Sequence, residues 1–305
     1  MERVIGLATG RLQKIYGDRE AIAIAARAGA QALDFDTSSS RIWNYQLPES
    51  VYARSEDEIC SYFEELRRYA ESLGLTFGQT HGRISGYKGN REYDDALIRN
   101  ARLDCLAAKT LGAPTVIIHS VSSSFFGKDA PKEMMHDLNA DLFLKIIPFA
   151  KEHGIRIASE TFGTSSKTND CEFFGHLAEL QRSYERVTAV GDNARYMSYC
   201  MDTGHSNIAA RYPGNPSLPD AIRALGKNIS TLHLHDNDGI SDQHKPPRTG
   251  TIDWHSVLDA LDEIGYRGNY NLEVGLLCFG DGFEIETAEF SVKLMRHLLK
   301  EHYGA

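Results

Sequence analysis

Thr231-Leu-His-Leu-His-Asp-Asn-Asp238 is the stretch whose reading decides this chain. A β-branched and apolar lead-in that ends in alternating His and Asp reads as a strand delivering hard and borderline metal ligands to its C-terminal end. Asp242-Gln-His244 and Gly250-Thr-Ile-Asp-Trp254 follow closely. One His-x-His alone is a weak signal, but other strand-like runs end the same way. Ile155-Arg-Ile-Ala-Ser-Glu160 and Gly268-Asn-Tyr-Asn-Leu-Glu273 close with a carboxylate, and Tyr199-Cys-Met-Asp202-Thr-Gly-His205 closes with Asp and then His. This is the layout of an enzyme site rather than of a core.

Outward from that half, the chain alternates apolar strand-like runs with helical patterns. The strands fall at Val4–Ala8, Ala32–Asp36, Leu75–Thr80, Pro114–His119, Ile155–Glu160, Tyr196–Asp202, Ile229–His235 and Asn269–Glu273. A helix over Glu56–Leu73 places Ile59, Phe63, Leu66, Tyr69 and Ala70 on one face, and one over Tyr93–Leu111 does so for Ala96, Ile98, Leu103 and Ala107. Gly29, Gly74, Gly112, Gly154 and Gly265 stand where a left-handed helix C-cap favours glycine. Eight β/α alternations with no hairpin predict an α/β fold whose parallel sheet closes into a (β/α)8 TIM barrel, with the C-terminal strand ends facing the active site. No linker or compositional break divides residues 1–305, so one barrel domain is expected.

Composition narrows the function. Forty-two acidic against 33 basic side chains give a net charge of −9, which disfavours nucleic acid as a partner. The N-terminus lacks a basic and then apolar leader, and no run is long enough to span a bilayer, so a soluble, cytoplasmic protein without a membrane partner is expected. Cys60, Cys105, Cys171, Cys200 and Cys278 are scattered, with no Cys-x-x-Cys, and read mostly as buried reduced thiols.

The motifs Glu160-Thr-Phe-Gly, Met201-Asp-Thr-Gly-His205, His233-Leu-His-Asp-Asn-Asp-Gly239, Asp242-Gln-His244 and the strand ending at Glu273 resemble the xylose-isomerase-like TIM barrel superfamily. The likeness is to its sugar phosphate isomerase/epimerase branch, related to ketose 3-epimerases, inosose dehydratases and the AP endonucleases of that fold. The resemblance implies that Glu160, Asp202, His233 and Glu273 hold one divalent cation. A set rich in hard oxygen suits Mn2+ first, with Mg2+, Co2+ or Zn2+ as alternatives. It further implies proton transfer on a keto or hydroxy sugar through a cation-stabilised enediolate, with Glu160 and Glu273 as the catalytic pair and His205 on the substrate oxygen. His233 is preferred over His235 because the family's metal histidine precedes its acidic partner by three positions, here Asp236.

Other readings stay open beside this sugar isomerase/epimerase. A dehydratase or lyase would use the same site for β-elimination on a sugar, inositol derivative or glycoside. His81, His119, Asp242 and His244 match further positions of the AP-endonuclease-like trinuclear zinc phosphodiesterase, although Asp242 and His244 also read as ties for their long loop. A non-catalytic sugar-binding subunit would keep the fold without turnover. His119, His81 and His235 are expected to line the substrate pocket. Trp43 and Tyr45, in the polar loop Ser38–Arg54, are read as a wall for a sugar face, and Trp254 as packing near the start of a helix at Thr251. Gly239 stands where the ketose 3-epimerases carry arginine, which weighs against a tagatose or psicose substrate. Lys245 and Arg248 are placed at the pocket mouth. Gly275 and Gly280-Asp-Gly282 form the nearest approach to a phosphate nest, but Asp281 opposes an anion there, so an uncharged sugar or sugar conjugate is expected. A homo-oligomer is compatible with this fold.

Overall fold

Strands that are apolar on both faces need cover on both, and a sheet curled on itself inside a ring of helices supplies it. The computed structural model describes residues 3–304 apart from residues 45, 84, 166 and 168. Its strands are β1 (Ile5–Ala8), β2 (Ala32–Asp36), β3 (Thr76–His81), β4 (Thr115–Ile117), β5 (Arg156–Glu160), β6 (Met197–Asp202), β7 (Ile229–His233) and β8 (Tyr270–Leu272). They pair in the order β7-β6-β5-β4-β3-β2-β1-β8, all parallel. The last seam closes just past β7. There Leu234 donates its N–H to Asn271 O at 2.8 Å and accepts from Glu273 N–H at 3.1 Å. The fold is a (β/α)8 barrel.

The helices are α1 (Gly10–Tyr16), α2 (Asp18–Arg27), α3 (Ser40–Trp43), α4 (Glu56–Ser72), α5 (Arg91–Leu111), α6 (Lys132–His153), α7 (Leu177–Thr188), α8 (Thr203–Ala209), α9 (Leu218–Leu225), α10 (Trp254–Glu263) and α11 (Glu284–Tyr303). A reciprocal Ser55–Glu58 capping box starts α4, which buries Ile59, Phe63, Leu66 and Ala70 as its period requires and leaves Tyr69 half-buried. The face expected for α5 needs correction. Leu103 and Ala107 are buried as expected, but the stripe also runs through Leu97, Ala101, Asp104, Ala108 and Leu111, while Ala96 and Ile98 are only half-buried. The helix also begins earlier than Tyr93, because the Asn90 side chain accepts the Tyr93 N–H at 3.0 Å and caps it. The chain Ser38–Arg54 is not wholly loop, since it contains α3 and a short 3-10 turn. Trp254 opens α10 and is buried as packing, its indole N–H donating to Asp236 Oδ2 at 2.9 Å.

Several strands end earlier than the apolar runs do. β4 stops at Ile117 and β7 at His233, although Ile118 still donates to Ala158 O at 3.0 Å and Leu234 still bridges to Leu272, so His119 and His235 lie just beyond their strands at the barrel mouth. The main apolar core fills the space between strands and helices, and a small separate cluster of Ile117, Ala158 and Cys200 lies inside the barrel. No helix among the described residues is long and apolar enough to cross a membrane. Cys105, Cys171 and Cys200 are buried thiols, as expected for most of the five, while Cys60 is half-buried and Cys278 is exposed.

One buried carboxyl fastens the mouth to the helical ring. Asp104 on α5 accepts from Thr37 Oγ1 and Tyr52 OH, each at 2.7 Å, and so ties the segment after β2 to α5. Burial outweighs those two donors and raises its pKa to about 6. The folded chain therefore keeps a proton that the unfolded chain releases from about pH 4. The stability this contributes is fully present below pH 4 and is lost as pH rises through about 6, on the order of 3 kcal/mol. Urea unfolding of wild type and Asp104→Asn at pH 4 and 7.5 should therefore show their stability difference moving toward the variant by about that amount. A difference independent of pH would contradict this account.

Candidate metal centre

Parallel strands end on one rim, so residues closing successive strands are brought together without any contact between them in sequence. Glu160, Asp202 and His233 are the last residues of β5, β6 and β7, and Glu273 is the first after β8. One ligand atom from each of the four lies within 4.8 Å of the other three. His233 Nδ1 is 3.2 Å from Glu160 Oε1 and 3.3 Å from Glu273 Oε2.

The opposite ring atom fixes this orientation. His233 Nε2 donates to Asp34 Oδ2 at 2.9 Å, and that oxygen also accepts from Gln79 at 3.0 Å and Asn271 at 3.1 Å. With its proton engaged at Nε2, the imidazole turns a lone pair on Nδ1 toward two carboxylates. His233 Nδ1, Glu160 Oε2 and Glu273 Oε2 are all buried without a hydrogen-bond partner among the described residues. Burial pushes the His233 pKa down, but Cys200, Glu273 and Glu160 together push it up by more. Burial likewise works against ionised Glu160, yet His233 and His119 hold its pKa well below the usual carboxylate range. The pocket thus demands positive charge between its carboxylates, and a divalent cation fits the hard donor set.

A second group adjoins the first. His205, His235, Asp242 and His244 also offer ligand atoms within 4.8 Å of one another. The His205 N–H caps α8 on Asp202 Oδ1 at 2.6 Å, and its ring Nδ1 lies 3.0 Å from Thr161 O. Asp242 reaches His205 at 3.4 Å and His244 at 3.2 Å, and the latter ring donates to Glu273 O at 2.9 Å. Both earlier readings of Asp242 and His244 therefore describe one geometry, since the loop tie is itself the cluster. His244 is held up at about 9, burial being outweighed by Asp242 and Glu273.

The remaining expected residues divide. His81 and His119 join the rim, with Nε2 atoms 3.5 and 2.9 Å from Glu160 Oε2, although the His119 contact is not aligned as a hydrogen bond. His235 is wholly buried, stacked on His244 at 3.8 Å and bonded to Asp202 Oδ2 at 3.1 Å, so it supports the rim instead of lining the pocket. Trp43 stands apart from the centre, in the wall of a cavity of about 350 Å³. Lys245 is tied by its backbone to Asp236 in the loop after β7. Arg248 is not brought to the mouth. It pairs with Glu301 in the last turn of α11, the end that packs on Arg3 ahead of β1. Tyr45 lies outside the described residues.

Of the supports, the sequence shows the acidic strand end Asp34-Phe-Asp36 but gives no account of its role. Gln79 and Asn271 look like ordinary strand polars, and Gly204 looks like a loop glycine. A Cβ on Gly204 would collide with the His235 ring.

These features define a class: (β/α)8 barrels with a carboxylate and imidazole centre at the C-terminal rim. Residues 22–292 match the family described as xylose isomerase-like TIM barrel, and the chain belongs to that family. The protein y4fM of Sinorhizobium fredii is 25% identical over 191 residues, covering 62% of this chain and 55% of its own. The chain spans about half the length of the curated relatives it matches. A 3-keto-D-glucoside 4-epimerase from E. coli superposes with a TM-score of 0.72 at 14% identity, covering 97% of this chain and 100% of that one. A D-tagatose 3-epimerase-like protein gives 0.71 at 19% identity, with 99% and 98% covered. At these identities the structures share the fold.

Asp34→Ala removes the orienting partner of His233 while leaving all four ligand types in place. Calorimetric titration with Mn2+ should show affinity lower by about 10–100-fold in this variant, and a similar loss in Gly204→Ala. Unchanged affinity in both would show that these supports do not hold the centre.

Proposed function

We propose that this chain is a divalent-cation-dependent sugar isomerase or epimerase built as one barrel domain, with Glu160, Asp202, His233 and Glu273 as the ligands and Mn2+ as the first choice of ion. The observation that carries this reading is the convergence of three carboxylates and one oriented imidazole whose buried atoms lack partners. A bound divalent cation would act as a Lewis acid that withdraws electron density from a sugar carbonyl and acidifies the neighbouring C–H.

The chain's own groups supply the proton transfer. Glu160 and Glu273 approach the His233 ring from different strands, at 3.2 and 3.3 Å from Nδ1. One carboxylate removes the carbon-bound proton and the other returns one, which inverts the centre if they serve opposite faces. Where a single carboxylate reaches the carbon, isomerisation between neighbouring carbons results. His205, 17% exposed at the rim, would hydrogen-bond a substrate hydroxyl in exchange for its 3.4 Å contact with Asp242. The epimerase names among the structural neighbours support the substrate class, and the small cavity bordered by Gly10, Asp36, Ser38, His81 and Glu273 admits a sugar edge to the centre.

The group His205, His235, Asp242 and His244 favours a second reading, a phosphodiesterase that uses several cations. Metal content separates the two. About one equivalent of Mn2+, Mg2+ or Co2+, lost in Asp202→Ala, agrees with the sugar reading, and near three of zinc replaces it with the hydrolase. With the cation supplied, solvent deuterium should enter a ketose at carbon. Glu160→Gln and Glu273→Gln should each lower that exchange by at least about 100-fold, and chelation should abolish it. Binding of sugar with no exchange for any ketose would leave a non-catalytic sugar-binding subunit.

A further inference from the structure

Around the segment that leaves the rim after His81, three cations gather that form no ion pair among the described residues. Arg83 follows His81 by two residues, so their Cα atoms are at most about 7 Å apart. Its guanidinium carbon lies 3.9 Å from the centroid of Trp43 and 4.3 Å from that of Tyr93. Lys88 Nζ lies 4.1 Å from Tyr93 and 4.8 Å from Phe125, and Lys167 Nζ lies 3.8 Å from Phe125.

Stacking on aromatic faces fixes the plane of a guanidinium and leaves its edge donors to point outward. Arg83 Nη1 is buried and has no hydrogen-bond partner among the described residues. The neighbouring Asp94 accepts the backbone N–H of Lys88 at 2.8 Å and its charge acts on the ammonium without an ion-pair contact, and among the described residues Glu92, exposed on the rim, is the only carboxylate in the cavity wall. Burial lowers the Lys88 pKa, and the charges of Arg83 and Lys167 add to the effect. In a chain of net charge −9 the common solution would be a carboxylate partner. Here Arg83 and Lys88 instead line the cavity of about 350 Å³.

We propose that Arg83 and Lys88, walled by Trp43 and Tyr93, bind the anionic group of the substrate, so that the protein acts on a sugar carrying a phosphate or a carboxylate. This rests on the sugar reading of the metal centre and reverses the sequence expectation of an uncharged sugar. That expectation looked for a glycine nest after the last strands, whereas these donors are side chains on the segment after β3. A guanidinium fork with a nearby ammonium suits either oxyanion, and the two sources of charge are told apart by affinity.

The test is calorimetric binding, with Mn2+ present, of a neutral ketohexose, its 6-phosphate, the corresponding hexuronate, and inorganic phosphate alone. Wild type should bind one of the charged sugars at least about tenfold more tightly than the neutral one, and the tighter of the two names the charged group. Arg83→Met and Lys88→Met should each remove most of that gain while leaving the neutral ketose within about twofold of wild type. Inorganic phosphate should bind wild type and Asp202→Ala alike and should weaken in Arg83→Met, which reports the anion site independently of the sugar centre. Equal affinity for neutral and charged sugars, or a gain that survives in both Met variants, overturns the proposal even if deuterium exchange upholds the sugar chemistry. Loss of all sugar binding with phosphate still held by Arg83 would instead overturn the sugar reading and leave the anion site standing.

Discussion

The hydrogen bond between His233 Nε2 and Asp34 Oδ2, inside the barrel at 2.9 Å, is the contact on which the rim depends. A buried carboxylate needs donors, and Gln79 and Asn271 add two more to Oδ2, while Oδ1 has no hydrogen-bond partner among the described residues. The arrangement spans the closure of the barrel. Asp34 comes from β2, Gln79 from β3, His233 from β7 and Asn271 from β8, so one oxygen gathers strands from both sides of the β7–β8 seam. Gly6 leaves the space that the Asn271 amide fills, since a Cβ there would press against it.

Two irregularities in the sheet aim these groups inward. Side chains alternate across a strand, so an extra residue reverses the phase of everything after it. In β3 the register steps between Leu33–Phe77 and Asp34–Gln79, leaving Gly78 unpaired. Phe77 packs outward in the core, and strict alternation from it would turn Gln79 and His81 outward too. In β7 the register steps between Tyr199–Ile229 and Cys200–Thr231, leaving Ser230 as the extra residue. The outward-packed Ile229 would otherwise place His233 among the helices. Both bulges therefore serve the centre, and glycine at position 78 is required because a Cβ would strike the Asn269 side chain.

Much of this was legible in one dimension because parallel strands translate sequence order into a ring. Glu160, Asp202, His233 and Glu273 each close a run of apolar residues, and strand ends in a barrel have only one rim to occupy. Helix punctuation was legible for the same local reason, as Gly29, Gly74, Gly112, Gly154 and Gly265 all take positive φ. The α5 face was misjudged because the helix also buries Asn100 and Asp104, polar residues that a hydrophobic stripe does not count. Arg248 was misplaced because a long loop can carry a residue down the outside of the barrel, where Glu301 holds it. The cation cluster escaped notice because Trp43, the pair Arg83 and Lys88, and Lys167 come from three separate connections, and no motif records that they meet.

The sequence by itself determined the alternation of strands and helices, the number of strands, and which residue types arrive at the C-terminal rim. These follow from local periodicity and from the ends of apolar runs, which are properties of short segments. Only the tertiary structure decided the tautomer-setting role of Asp34, the inward phase of His81 and His233, the burial of His235 behind His244, and the pairing of Arg83 with aromatic rings in place of a carboxylate. Each depends on a contact that no local pattern records, as far apart as 199 residues in the case of Asp34 and His233, so its physical cause exists only once the chain has folded.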